Sequence, residues 1–434
     1  MNSIRHGAER HFGLKTLGTS VRTEVAAGAT TFLSMSYIIA VNPAILSDAG
    51  IPAAAAAFAT CLVSGLGSVA MGLWAKAPIA VAPGMGLNAF FTYTVVLGAG
   101  LSWQQGLGMV FVSGLLFVVL TLTGMRQAIL EALPKELRPA IGAGIGMFLV
   151  MIGLRNGGII DANEATLVTL GELGSPTALV TIGTALLIAT LLSRGVRSGL
   201  LLGIVAATLI SIPIGLAGGP APQQGGMLDA AFQLDVGPIL SLSVIDLLLA
   251  MVFVDLFDSL GTMVGVISKA RLSDEGGRVP RLGRMLVVDG AATISGALAG
   301  TSTVTAYIES AAGVEAGGRS GLTAVVTGVL FLLALPLSAA AVVVPTAAVA
   351  GALVVIGATT VGFVRSIDWD DVDTALPALL VIAGMPLTFS IADGLSMGLI
   401  AYSALKILRG RAGQVPWSVH VLAVVILARY VFFA

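Results

Sequence analysis

Asp255 and Asp258 stand three residues apart in MVFVDLFDSLGTMVG (251–265), so they share one helix face in a segment otherwise rich in Leu, Val, Phe and Met. Ionised carboxylates at the centre of an apolar span cost at least about 2.5–3.5 kcal/mol each, so something must compensate them. The hydroxyls of Ser259 and Thr262 could do so as a plain polar contact between helices. A third acid weakens that reading: Glu309, in GTSTVTAYIESAAGVEAGGR (300–319), also lies among apolar runs, and three carboxylates near one depth are a costly way to join helices. No Lys or Arg within these spans is available as a partner. The acids must therefore be protonated part of the time, pair with a ligand, or bind a cation, and each option belongs to coupled transport.

The elements that hold these acids follow from composition. A chain of 434 residues with 56% hydrophobic residues, 10% charged residues and a mean hydropathy of +1.00 lies far outside the soluble range and reads as an all-α polytopic membrane protein. A net charge of −1 without a basic patch points away from nucleic acid. The single cysteine, Cys61, can form no internal disulfide, and His6, His11 and His420 have no metal-ligand spacing, so neither a metal nor another cofactor is expected. Residues 1–23 are polar and basic and lack the apolar core of a secretory signal, which predicts a cytoplasmic N-terminal segment in a bacterial inner membrane protein.

Apolar segments at 24–46, 54–74, 79–98, 106–124, 138–154, 175–193 and 198–216 make a first series of seven. A second seven runs 241–267, 284–299, 301–316, 321–337, 345–362, 374–390 and 391–409. Residues 217–240, rich in Gly and Pro without a basic residue, read as an external linker between repeats 24–216 and 241–409. Seven is odd, so the second repeat starts on the opposite side of the membrane and the two are inverted. With the N-terminus inside, every Lys and Arg but Arg155 and Arg429 falls in a cytoplasmic segment, although the connector 368–373 is acidic. The C-terminal segment 410–434 carries an extra apolar run, 415–433, whose place in the membrane its composition leaves open.

The third span of each repeat is aberrant. Residues 301–305 are mostly β-branched and predict a short strand, with a half-helix over 306–314; residues 77–93, APIAVAPGMGLNAFFTY, predict the same break. Backbone that leaves a helix at membrane depth must be enclosed by protein, and such breaks usually mark a substrate site. Pro83, Gly84 and Gly86 permit the turn and close backbone approach, and Asn88 can cap the half-helix or contact a ligand. The GxGxxA spacing there lacks the strand–helix–strand context of a nucleotide loop. Gly142, Gly144 and Gly146 read as a packing seam. Half-helix N-termini alone would suit an anion, but acids beside them would repel one. A flat neutral ligand rich in N–H donors fits better, with Tyr37, Phe90, Phe91, Phe253, Phe257 and Tyr307 as the aromatics from which a stacking partner would come.

SMSYIIAVNPAILSDAG (34–50), APGMGLNAFF (82–91), FVDLFDSLGTMVG (253–265) and GTSTVTAYIESAAGVEAGGRSGLTAVV (300–326) resemble the xanthine and uracil permease class of nucleobase:cation symporters, and within it the AzgA-like purine permeases. The resemblance implies 14 spans in two inverted repeats, a core domain (24–124 plus 241–337), a gate domain (138–216 plus 345–409), proton coupling, an elevator-like movement of the core and a homodimer. It implies substrate held between spans 3 and 10 by the acids Asp258 and Glu309, and by backbone around Gly84, Met85 and Gly86 and around Ile308 to Ser310. Thr262 stands where more distant members carry His, which leaves Glu309, Asp258 or Asp255 as the proton carrier. The expected function is proton-coupled uptake of purine bases, guanine and hypoxanthine first, adenine or xanthine next. The rivals are a sulfate- or bicarbonate-type anion transporter of the same fold, and an intramembrane hydrolase, which gives no reason for two symmetric breaks.

Overall fold

The computed structural model describes residues 9–124, 134–216, 226–240, 244–274 and 279–432, so part of the expected linker and both chain ends lie outside the described residues. Among them, ten helices are long and apolar enough to cross a membrane, and four shorter apolar helices accompany them: Met85–Gly98, Gly199–Ser211, Val372–Thr388 and Trp417–Ala428.

The chain begins its first span with α1 (Val21–Met35), which Ser20 caps by accepting from the Thr23 amide at 3.2 Å. The helix loosens at Ser36–Tyr37, where Ile39 and Ala40 donate three residues back, and resumes as α2 (Ile38–Asp48). Then come α3 (Ala53–Ala70), strand β1 (Val81–Pro83), α4 (Met85–Ala89) continuing as a wider π-type turn to Gly98, and α5 (Trp103–Leu122). Next are α6 (Arg138–Asn156), an exposed hairpin of β2 (Ile160–Asn163) and β3 (Leu167–Leu170) that the apolar pattern does not predict, α7 (Pro176–Ser193) and α8 (Gly199–Ser211). The second half holds α9 (Ile245–Lys269), α10 (Leu282–Ala299), β4 (Val304–Ala306), α11 (Ser310–Glu315) and α12 (Gly321–Ala334). It continues with α13 (Thr346–Val361), α14 (Val372–Thr388), α15 (Ile391–Leu408) and α16 (Trp417–Phe432), which gives the last apolar run a helical form.

The helices pack in two groups. In one, α12 lies against α1 and α3, α10 against α3 and α5, α9 against α5 and α10, and α11 against α1. In the other, α13 lies against α6, α7 and α8, and α14 against α6 and α15. Small residues set the approach, as membrane helices without a hydrophobic drive between them require. A Cβ on Gly28 would sit 2.6 Å from the Thr323 carbonyl oxygen, and one on Gly72 would sit 2.3 Å from that of Gly321. The glycines of α6 do pack closely, but on two faces: Gly146 meets Gly357 and Val361 of α13, whereas Gly144 meets Met385 of α14. A spacing of two residues turns a helix by about 200°, so no single seam can contain all three.

Buried polar side chains tie the first group together. Glu24 accepts from the Arg319 amide (2.9 Å), the Ser320 amide (3.2 Å) and hydroxyl (2.8 Å) and the Thr323 hydroxyl (2.6 Å), fixing the start of α1 to the start of α12. The acidic connector before α14 also finds its charge partners: buried Asp373 pairs with Arg409 (2.9 Å), Arg411 (3.2 Å) and Lys406 (3.5 Å).

Candidate functional site

Both breaks in the apolar pattern become strands, and the strands pair with each other. β1 and β4 run antiparallel with Val81 opposite Ala306, Ala82 opposite Thr305 and Pro83 opposite Val304. Two further bonds extend the ladder, from the Gly84 amide to the Thr303 carbonyl (3.0 Å) and from the Tyr307 amide to the Ala80 carbonyl (2.9 Å). Backbone polar groups inside a membrane protein need partners, and this two-stranded ladder supplies them without an exposed edge reaching lipid. The second break differs from the sequence expectation by a few residues. The strand is Val304–Ala306 rather than 301–305, and the half-helix starts at Ser310 rather than 306, so Glu309 is the residue capping α11 and not an interior helical residue.

The approach to β4 is held by buried amides. Asn42 donates to the hydroxyls of Thr60 (2.7 Å) and Thr301 (2.8 Å), and Asn88 accepts from the Ser302 hydroxyl. Asn88 is thus committed to holding the other break, with its Nδ2 unpartnered among the described residues. The Ser310 hydroxyl accepts from the Ala80 amide (3.0 Å), and the Tyr307 hydroxyl donates to the Pro83 carbonyl (2.7 Å), so both side chains brace the crossing. Gly84 is required there: a Cβ would lie 2.6 Å from Thr305 Cγ2.

Around this crossing the acids take different environments. Tyr37, placed by the loosened turn between α1 and α2, donates its hydroxyl to Glu309 Oε1 at 2.5 Å. The carboxylate is half-buried beside Ile308, which is 58% exposed. Asp258 is exposed, and its Oδ2 accepts a long bond of 3.5 Å from the Thr305 hydroxyl. Thr305 shares a 2.7 Å hydroxyl contact with Ser259, which donates to Asp289 Oδ2 at 2.5 Å. Ser259 therefore serves Asp289 on α10 rather than either aspartate of its own helix. Asp289 is fully buried and was not singled out by the sequence pattern; an acid inside LGRMLVVDGAATISGALA is the signal that could have found it. Asp255 is also fully buried, and neither of its oxygens has a hydrogen-bond partner among the described residues.

The remaining residues flank or support this arrangement. Phe257 is half-buried with the Arg138 guanidinium 5.2 Å from its ring centroid, and Thr262 is buried one turn beyond Asp258. Phe90 and Phe91 are fully buried, and Phe91 packs where Gly106 leaves room, so both are core residues. Met85 and Gly86 lie at the start of α4, with Gly86 against Ile145 of α6.

Exposure along α9 changes character at Asp258. Towards its start the exposed side chains are Ile245 and Leu249; beyond Asp258 they are Gly261, Val264, Gly265 and Ser268, on a different face. Gly261, Gly265 and Ser268, with Val264 among them, leave that second face exposed from Asp258 towards the Lys269 end of the helix. An apolar cavity of about 500 Å³ between α3 and α10, bordered by Phe58, Trp74, Leu228 and Phe232, contains none of the acids.

Comparison with known proteins agrees with this architecture. A model described as a permease family, that of the xanthine/uracil permeases, matches residues 22–427. A guanine/hypoxanthine permease of Bacillus subtilis is 42% identical over 97% of this chain and 99% of its own length. An adenine permease of Escherichia coli is 41% identical over 98% of this chain and 96% of its own. In fold, the chain is similar to the transmembrane domain of a cyanobacterial bicarbonate transporter, with a TM-score of 0.64 at 18% identity over 88% of this chain and 97% of that one. The many apolar helices and the permease relatives together make this an integral, multi-pass membrane protein. The chain belongs to the xanthine/uracil permease family.

Proposed function

We propose that the protein takes up purine nucleobases, guanine and hypoxanthine first and adenine or xanthine next, in symport with protons. The observation that carries this reading is the position of Asp258 and Glu309 at the crossing of β1 and β4. The guanine/hypoxanthine and adenine permease relatives supply the substrate class. A purine presents ring and exocyclic N–H donors along its edges, and carboxylates accept them with charge-assisted strength. Asp258, with one long hydroxyl contact, has acceptor capacity to spare, and Glu309 is oriented by Tyr37. The amides of Met85 and Gly86, in the first turn of α4, and of Ile308 and Glu309, before α11, are suited to carbonyl groups of the base. The Gly84 and Ser310 amides are not, being bonded to Thr303 and Tyr307.

Asp258, Glu309 and Asp255 are the proton-carrier candidates, and Asp289 joins them through the Ser259–Thr305 hydroxyl pair. In this reading, 14 spans form two inverted seven-span repeats, and the first packing group moves as a core (24–124 plus 241–337) against a gate (138–216 plus 345–409) in an elevator-like step. The protein forms a homodimer in the inner membrane with its N-terminus in the cytoplasm. The anion reading is not favoured: likeness to a bicarbonate transporter is one of fold, and acids beside the half-helices repel anions. The relatives are named permeases, which argues against a hydrolase.

Proteoliposome uptake of radiolabelled hypoxanthine tests the reading. Uptake driven by an inward proton gradient and blocked by guanine is the expected result; uptake indifferent to the gradient, or blocked by sulfate, overturns it.

A further inference from the structure

The two ends of the molecule are closed to different degrees. Glu24 at the start of α1 is bonded to Arg319 and Ser320, and Glu315 just before them pairs with Lys269 at the end of α9 (2.5 Å). The start of α1 and the end of α9 therefore lie on one side. Asp48 ends the same 28-residue span and so lies on the other side, about 40 Å of helix rise away.

On the Asp48 side a cluster joins the two packing groups. Tyr93, on the helix that follows β1, donates its hydroxyl to Asp48 Oδ2 (2.6 Å) and accepts from Asn156 Nδ2 at the end of α6 (3.1 Å). Its ring stands edge-to-face with Phe389, centroids 5.6 Å apart, and with Phe148, 6.4 Å apart, while those two meet at 5.4 Å. Asp48 and Tyr93 lie on helices that pack against α3 and α5 of the first group, whereas Phe148, Asn156 and Phe389 come from α6 and the end of α14 in the second. Phe389 holds a left-handed backbone (φ +54°), a conformation that costs an aromatic residue energy and is kept where surrounding contacts demand it. Arg155, one of two basic residues that the charge map leaves off the cytoplasmic side, lies 5.3 Å from the Phe389 centroid. On the Lys269 side, Arg138 at the start of α6 lies over Phe257 and Arg197 reaches Glu315 at 3.3 Å, but Arg197 and Glu315 are more than two-fifths exposed, and Gly261, Gly265 and Ser268 of α9 are exposed as well. Exposed ion pairs of this kind hold weakly.

We propose that Tyr93 is the bolt of a gate on the Asp48 side, locking the two groups together when the path to Asp258 opens on the Lys269 side. Its hydroxyl holds Asp48 and Asn156 at once, and Asp48 also faces Asn156 and Arg155 directly. The purpose assigned to the gate rests on the transport reading, but its existence does not. The test uses the full chain with Cys61→Ser and Ile308→Cys, reconstituted, with a membrane-impermeant maleimide applied separately to each side. Without further change, labelling comes mainly from the Lys269 side. Tyr93→Phe keeps the ring and loses both hydrogen bonds, and is expected to raise labelling from the Asp48 side about tenfold, in line with the loss of a hydrogen bond to a charged group. Asn156→Ala, read in its place should Tyr93→Phe not fold, is expected to give a shift in the same direction. Unchanged sidedness in the folded variant overturns the gate. Shifted sidedness, together with no purine uptake by the protein that keeps Ile308 and Tyr93, would leave the gate standing and remove the substrate reading instead.

Discussion

Glu309 and Asp258 differ in what surrounds them, and that difference assigns them different work. Glu309 receives the Tyr37 hydroxyl at 2.5 Å, so Tyr37→Phe should leave the carboxylate in place but free to turn. The expected outcome is a purine KM raised roughly tenfold, from loss of one charge-assisted hydrogen bond, measured by uptake at varied substrate. Glu309→Ala removes the acceptor itself and should abolish uptake while the protein still inserts and elutes normally; wild-type uptake would end the assignment. Asp289→Asn keeps size and the bond from Ser259 but cannot exchange a proton, so purine exchange should persist while gradient-driven accumulation falls. Equal loss of both would make Asp289 a structural residue. The three expected acids were legible in the sequence because charge within apolar runs is conspicuous. Their ranking was not, since the partners Tyr37, Thr305 and Asp289 sit on other spans.

At the scale of elements, the two breaks were legible from β-branched and glycine-rich composition, down to the strand-then-helix order. What composition could not supply was that the strands pair with each other, because pairing joins residues more than two hundred positions apart. The shift of the second half-helix to Ser310 has a local cause: the Tyr307 amide is bonded to Ala80 across the ladder, which holds the chain extended past Ala306. Gly84→Ala would place a methyl 2.6 Å from Thr305 Cγ2 and push β4 away from β1. Overpacking of this kind costs about 1–3 kcal/mol, and uptake should fall further than thermal stability does because Thr305 also contacts Asp258. Glu24→Ala, by contrast, strips four donors of their acceptor and should lower the unfolding temperature in detergent with purine selectivity unchanged. An unaltered unfolding temperature would show that α1 is held by packing alone. Glu24 was invisible as an anchor in the sequence because it reads as an ordinary polar residue at a helix start.

For the whole molecule, hydropathy foretold most of the helices, and the described structure supplies ten of full spanning length with four shorter ones. Shortness has physical reasons: α4 is cut by β1, and α14 carries Pro377 and Pro386. The two packing groups, with small residues at their seams and polar side chains at the crossing, are the two bodies that the proposed elevator-like step would move against one another. Such movement requires that the acids be neutralised during passage, by substrate and by proton together, since bare carboxylates are costly within the membrane. The most direct measurement is hypoxanthine accumulation in proteoliposomes under an imposed inward proton gradient, with guanine and sulfate as competitors and Glu309→Ala as the control. The account predicts accumulation above equilibrium that collapses with the gradient, is blocked by guanine and is absent from the variant. Accumulation that ignores the gradient, or persists in Glu309→Ala, would contradict it.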